Sequence, residues 1–337
     1  MKVAIIGCGR IAQVRHIPQY ATNKKACIVG FYDIVFERAK ELADTYNAKA
    51  YKSVDELLND ESVDAVSVCV ANSFHSNIAI SAMKAGKQVL CEKPMATTLK
   101  ECKDMIACAK KTGKKLMIAH DQRYDKAHIK AKELLDNGVI GRLLTFKSNF
   151  CHAGPESWSI DKGNGTWFFD KSKSSLGVVA DLGVQKIDLL QFLLNTKITE
   201  VFASFDTLDK KYASGKPIDL EDNAICLFRT QNGMMGSLNA SWTSYGKSDN
   251  STTIFGSDGI MIINEDELAP VKVILKDGTN KTYDCAEVQS VGVINAFVDC
   301  IVNDTTPPIN CEEVLHAMKV VFACKRSANT KKAIKVI

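Results

Sequence analysis

The sequence predicts an α/β protein: an amino-terminal doubly wound parallel sheet, then an α+β domain with an open, mainly antiparallel sheet. Three observations carry this. Through residue 121, short apolar runs alternate with helical patterns. Those runs are apolar on both faces, as strands sandwiched between helices must be. Beyond residue 194, strand-like runs follow one another without helices between them, which implies an antiparallel or mixed sheet. A length of 337 residues also makes two domains the natural division, placed at 1–121 and 122–337.

In order, the first-domain strands are expected at Val3–Ile6, Cys27–Tyr32, Ala65–Val70, Gln88–Cys91 and Leu116–Ala119. Helical patterns fall at Phe36–Tyr46, Ser53–Asn59, Ser76–Ala85 and Leu99–Lys111. Gly86 and Gly113 follow two of them, where a left-handed cap belongs. A helix at Ala127–Leu135 and a strand at Leu143–Phe150 open the second domain. An irregular stretch rich in Gly, Ser and Trp, Cys151 to Ser175, then leads into a long helix pattern, Gly177–Leu194. Strands are expected at Glu200–Phe205, Ala224–Arg229, Met234–Trp242, Thr252–Phe255, Met261–Ile263 and Val271–Leu275. Helices at Val291–Val302 and Glu312–Ala328 close the chain.

Composition narrows the function classes. Hydrophobic residues at 46% and charged residues at 24% are ordinary for a globular protein that buries a core without metals or disulfides. A formal charge of +4 is small for this length, so nucleic acid and acidic membrane surfaces are not expected partners. No apolar run approaches the ~18 residues that cross a bilayer, and Met1-Lys2 runs straight into a strand with no leader pattern. The twelve cysteines form no Cys-x-x-Cys pair and no Cys/His cluster at zinc spacing. Cys69, Cys91 and Cys226 sit in apolar strand-like runs, as small hydrophobes do. A reducing cytoplasm is the expected compartment and no metal is expected.

Gly7-Cys8-Gly9-Arg10-Ile11-Ala12 ends the first strand. The first Gly allows a tight turn, the second lets backbone approach a pyrophosphate, and the small Ala12 lets helix and strand pack closely. Helix N-terminal N–H groups then face the phosphates. Asp33 ends the second strand, 21 residues beyond Ala12, where an acid grips the adenosine ribose. A carboxylate there repels a 2′-phosphate, so NAD is favoured over NADP, although Arg38 stands a turn further on. The other reading of Asp33 is a helix N-cap.

The strand Gln88–Cys91 ends in Glu92-Lys93-Pro94. In doubly wound folds ligands sit outside the carboxyl ends of strands, and Pro94 restricts Lys93 to extended geometry. A held lysine beside a dinucleotide is a candidate for proton chemistry. Asp181, Gln185 and Asp188 recur at i, i+4 and i+7 and share one helix face.

From the glycine motif, Ala85-Gly86-Lys87-Gln88-Val89-Leu90-Cys91-Glu92-Lys93-Pro94, Arg123-Tyr124, Asp181-Leu182-Gly183-Val184 with Ile187-Asp188-Leu189-Leu190, and Phe255-Gly256-Ser257-Asp258-Gly259, the chain resembles the glucose-fructose oxidoreductase/inositol dehydrogenase (Gfo/Idh/MocA) family. The resemblance spans essentially the whole chain. It implies a Rossmann domain, an oligomer (homodimer or homotetramer) built through the open sheet, and oxidation or reduction of a sugar or cyclitol hydroxyl. The family's catalytic set falls on Lys93, Asp181 and position 185, where a proton-transferring His is usual and this chain has Gln185. Glutamine hydrogen-bonds but does not titrate. The glycine triplet usual before this helix is also depleted, reading Ser175-Leu176-Gly177.

The expected reaction is therefore NAD-dependent hydride transfer on a small polyhydroxylated substrate, with Lys93 as acid/base, Asp181 orienting it and Gln185 binding a hydroxyl. Two other classes stay open because of Gln185: a non-catalytic dinucleotide-binding regulator, and a glycosidase using tightly held NAD. His152, Trp158 and Trp167 in the irregular stretch suit a sugar, whose apolar face stacks on aromatics, or serve loop packing. Arg123 lies near the expected cleft or forms an interdomain ion pair. Asn72 and His75 follow the strand Ala65–Val70 and either line the cofactor or cap the next helix. Glu92 completes the cofactor set.

Overall fold

The computed structural model describes all 337 residues. The first half-chain runs β1 (Lys2–Ile6), α1 (Ile17–Thr22), β2 (Cys27–Tyr32), α2 (Phe36–Tyr46), β3 (Lys49–Ala50), α3 (Val54–Leu58), β4 (Ala65–Val68), α4 (His75–Lys84), β5 (Gln88–Cys91), α5 (Leu99–Thr112) and β6 (Leu116–Ile118). Six strands form one sheet in the order β3-β2-β1-β4-β5-β6. All its pairings are parallel. The order reverses between β1 and β4, so the chain leaves them in opposite directions and opens a crevice at their carboxyl ends.

Local chemistry fixes the helix ends. Thr98 accepts the Glu101 N–H at 3.2 Å while the Glu101 carboxylate takes the Thr97 N–H at 3.1 Å, a reciprocal cap that starts α5. Gly113, at φ +66°, ends it. The first helix departs from regular geometry, opening as a single wide π turn over Ala12–His16. The expected long helix from Gly177 does the same, with a π turn over Val179–Gly183 before α8 (Val184–Leu194). Such turns are frequent at functional sites, where the extra residue re-aims its neighbours.

The second half comprises α6 (Lys126–Asp136), β7 (Leu143–Cys151), α7 (Lys171–Ser174), α8, β8 (Ile198–Asp206), β9 (Asn223–Thr230), β10 (Met235–Ser241), β11 (Thr252–Gly256), β12 (Gly259–Ile263), β13 (Val271–Leu275), β14 (Asn280–Tyr283), α9 (Gly292–Val302), α10 (Cys311–Thr330) and β15 (Ile334–Lys335). Nine strands form a second sheet, ordered β14-β13-β12-β11-β7-β10-β9-β8-β15. Only β7 and β10 pair in parallel. The sequence patterns missed β3, β14 and β15, which are short and largely polar. Helices α6, α8 and α10 cover one face of this sheet. On the other face Phe202, Ile225, Leu227 and Met235 remain exposed. Helices α9 and α10 fold back onto the first sheet, touching β5 and β6 respectively, and so couple the two halves. No helix is long and apolar enough to cross a membrane, and all twelve cysteines are free.

Candidate active site

At the switch point of the parallel sheet, Gly7 adopts φ +95°, and a Cβ there would stand 2.6 Å from the Cys69 carbonyl oxygen. Only glycine fits. Gly9 is the opposite case: nothing lies within 4 Å of where its Cβ would be. Open space over a backbone at a helix start is the cradle a pyrophosphate needs. Any side chain at position 9 would fill it.

Asp33 sits where β2 ends, its Oδ2 accepting the Cys8 N–H at 2.7 Å and its Oδ1 the Val35 N–H at 2.8 Å. Cys8 therefore has its amide committed to Asp33, and burial pushes its thiol up to about 12. Ala12 is fully buried under the sheet. Arg38 approaches Asp33 at 3.9 Å and hydrogen-bonds Asp161 of the irregular stretch. Two carboxylates thus hold the one cation near the expected ribose position.

A cleft runs from this turn along Gly9, Arg10, Ile11, Asn72, Glu92 and Lys93, roofed from the second domain by Trp158, Asp161, Trp167 and Asp181. Asn72 also ties the halves together, its Nδ2 donating to the Ser174 carbonyl at 3.2 Å. Trp167 stacks on Phe168 with ring centroids 3.9 Å apart, so the roof is a rigid aromatic slab on the cofactor side. His75 does not line the cleft. Its buried ring bridges the Pro94 and Val70 carbonyls at 2.8 and 3.0 Å, holding the turn that carries Lys93.

Beyond the cleft lies a cavity of about 390 Å³, within the range of small-ligand pockets. Lys93, His152, Trp158, Asp181 and Gln185 line it together. Lys93 Nζ donates to Asp181 Oδ1 at 2.8 Å and to the Asp181 carbonyl at 3.1 Å. Asp181 is held from behind by the Trp242 indole N–H at 3.1 Å. Burial pulls the Lys93 ammonium down, but the Asp181 and Glu92 charges outweigh it and leave the group above the usual lysine range. Burial likewise pushes the Glu92 carboxyl up, yet the His16 hydrogen bond (3.0 Å) and nearby cations hold it at about 2. The Lys93–Pro94 peptide is cis.

Gln185 turns one amide hydrogen back to the Asp181 carbonyl at 3.0 Å, across the π turn. Asp188, expected on the same face, instead forms a bidentate pair with Arg123 at 2.8 and 2.7 Å. Arg123 also reaches Glu313 at 2.8 Å and lies outside the cavity, in an ion pair that joins the residues after β6 to α8 and α10. Sequence reasoning passed over Arg15, Asp121, Gln122, Phe150 and Asn250, which also line the cavity. Asp121 and Gln122 follow a parallel strand directly, a signal that was there to use. Arg15 is delivered by the first π turn and Asn250 by a distant loop, and neither has a local signature.

Comparison with known proteins identifies the family. A family model described as an oxidoreductase family with an NAD-binding Rossmann fold matches residues 1–120, and the Gfo/Idh/MocA C-terminal domain model matches 128–262. A myo-inositol 2-dehydrogenase of Thermotoga maritima is 26% identical across 100% of this chain and 98% of its own. An oxidoreductase domain protein from Kribbella flavida superposes with a TM-score of 0.89 at 22% identity, covering 99% of this chain and 98% of that one. A levoglucosan dehydrogenase in complex with NADH and levoglucosan gives a TM-score of 0.87 at 22% identity, covering 100% of this chain and 99% of that one. At that identity the structural matches speak to the fold alone. With both halves matched by the family's own models, the chain belongs to the Gfo/Idh/MocA oxidoreductase family.

Proposed function

We propose that the protein is an NAD-dependent dehydrogenase acting on a CH–OH group of a sugar, inositol or related derivative. One observation carries this. The dinucleotide cleft and the second cavity meet at Ile11, Lys93, Trp158 and Asp181, which line both. A cofactor in the first would present its ring to a ligand in the second at the Lys93 amine. Gly9, Arg10, Ile11, Asn72 and Glu92 would hold the dinucleotide, and Asp33 its adenosine ribose. When bound, its nicotinamide supplies a site that accepts or returns hydride.

The chain's own residues manage the proton. Oxidation of a carbinol requires its hydroxyl proton to leave, and Lys93 is the group placed to take it, or to return it during reduction. Asp181, fixed by Trp242, aims the amine. Gln185 offers its remaining amide atoms to a hydroxyl. Arg38, engaged by Asp33 and Asp161, is not free for a 2′-phosphate, which supports NAD over NADP. The unpaired cysteines support a reducing compartment such as the cytoplasm. The apolar open face of the second sheet supports a homodimer or homotetramer.

The purified protein with NAD, and separately NADP, should generate reduced cofactor on at least one member of a polyol and aldose panel, with NAD preferred. Cofactor binding without turnover on any member would instead favour a regulatory protein, the reading Gln185 keeps open.

A further inference from the structure

His152 is the one histidine in the cavity whose ring is not enclosed by other residues' carbonyls or carboxylates, and the missing proton carrier at position 185 makes it an obvious substitute. Its surroundings say otherwise. His152 follows β7 directly, and its backbone is locked to β10, donating to the Ser241 carbonyl at 3.0 Å and accepting from Ser244 at 3.2 Å. Its Nδ1 accepts the backbone N–H of Gly154 at 2.9 Å. A backbone amide cannot reverse its polarity, so Nδ1 must stay unprotonated while this contact lasts. Gly154 has little room to move: it sits at φ +106°, and its carbonyl accepts the Ser157 hydroxyl at 2.6 Å. The neutral ring then carries its proton on Nε2.

We propose that His152 acts as a permanently neutral hydrogen-bond donor, through Nε2–H, to an oxygen of the bound substrate, leaving Lys93 as the one group that exchanges a proton with it. This rests on the dehydrogenase reading above. Charging His152 would place two N–H groups head to head at Gly154. The charged groups facing the ring come as pairs, Asp181 with Lys93 across the cavity and Glu156 with Lys210 behind, so neither side offers an uncompensated carboxylate to stabilise an imidazolium. Consistently, burial draws the His152 ring below the usual histidine range against the pull of Asp181.

Two readouts test this, one without turnover. In ¹⁵N-histidine spectra of the intact protein, assigned by the H152Q variant, the His152 signals should show Nδ1 unprotonated and no titration between about pH 5.5 and 8.5. A midpoint within that interval, or an Nδ1–H tautomer, overturns the proposal whether or not a substrate is known. In kinetics on any active sugar, or in binding of myo-inositol and D-glucose to the NADH complex, H152A should weaken the response roughly ten- to a hundredfold. H152Q, whose amide NH₂ reaches the Nε2 position, should recover most of it, and the single ionisation in the pH profile should be unchanged. An H152A variant equal to wild type, or a second ionisation that vanishes in H152Q, would contradict it.

Discussion

At the residue scale, the site is defined by one lysine and one absence. Lys93 is partly buried, paired with Asp181 at 2.8 Å and held protonated, which suits it to give a proton and makes it slow to take one at neutral pH. A titrating neighbour would relieve that, and a well-placed base contributes about 10²–10⁴-fold. Gln185 already points its amide at the Asp181 backbone from inside the cavity. Q185H should therefore raise the oxidation rate roughly tenfold or more and add an ionisation near the histidine range. Steady-state rates across pH on a responsive sugar check this, and unchanged turnover would mean position 185 is not where the proton carrier is missing. Arg123 shows the contrast between a charged residue in a family motif and one in a site. Its guanidinium is spent entirely on Asp188 and Glu313.

At the scale of elements, the turn after β1 separates folding from binding within three residues. G7A puts a Cβ 2.6 Å from the Cys69 carbonyl, in a backbone region that L residues rarely adopt. It should cost stability of about 2 kcal/mol or more and NADH affinity together. G9V points into open cleft, so its thermal unfolding should stay near wild type while NADH binding falls roughly a hundredfold. Calorimetry for both variants distinguishes them, and a G9V protein that binds NADH normally would remove the pyrophosphate from this cradle. This turn was legible in the sequence because its requirements are local: a strand, two glycines and a small residue at fixed spacing. So were β1, β2, β5 and α2, whose periodicity or apolar runs need no tertiary help. The two π turns were not legible, since an inserted residue changes no hydrophobic pattern. Hence Asp181, Gln185 and Asp188 read as one face, and the structure divides them between the cavity and an ion pair. Trp242, which fixes Asp181 from 61 residues away, could be found only by folding the chain.

At the scale of the whole molecule, two interfaces matter. Between the halves, Lys93–Asp181, Asn72–Ser174 and Arg38–Asp161 all cross the cleft, so the active site exists only when both domains are present. On the open sheet face, Phe202 lies opposite Leu227, and Ile225 projects from the same strand one pleat away. Both side chains of β9 are about half exposed, at 52% and 58%. An uncovered apolar strip near one end of the nine-stranded sheet is the surface that the proposed oligomer would cover. L227E with I225E should shift sedimentation from an oligomer to a monomer while leaving the fold intact. A wild-type protein that sediments as a monomer at micromolar concentration would contradict that assignment. The most direct measurement of the central claim compares wild type with K93M for NADH binding by fluorescence and for turnover on an active polyol or aldose. The account predicts near-normal binding with turnover down roughly 10²–10⁴-fold. K93M turning over like wild type would contradict it.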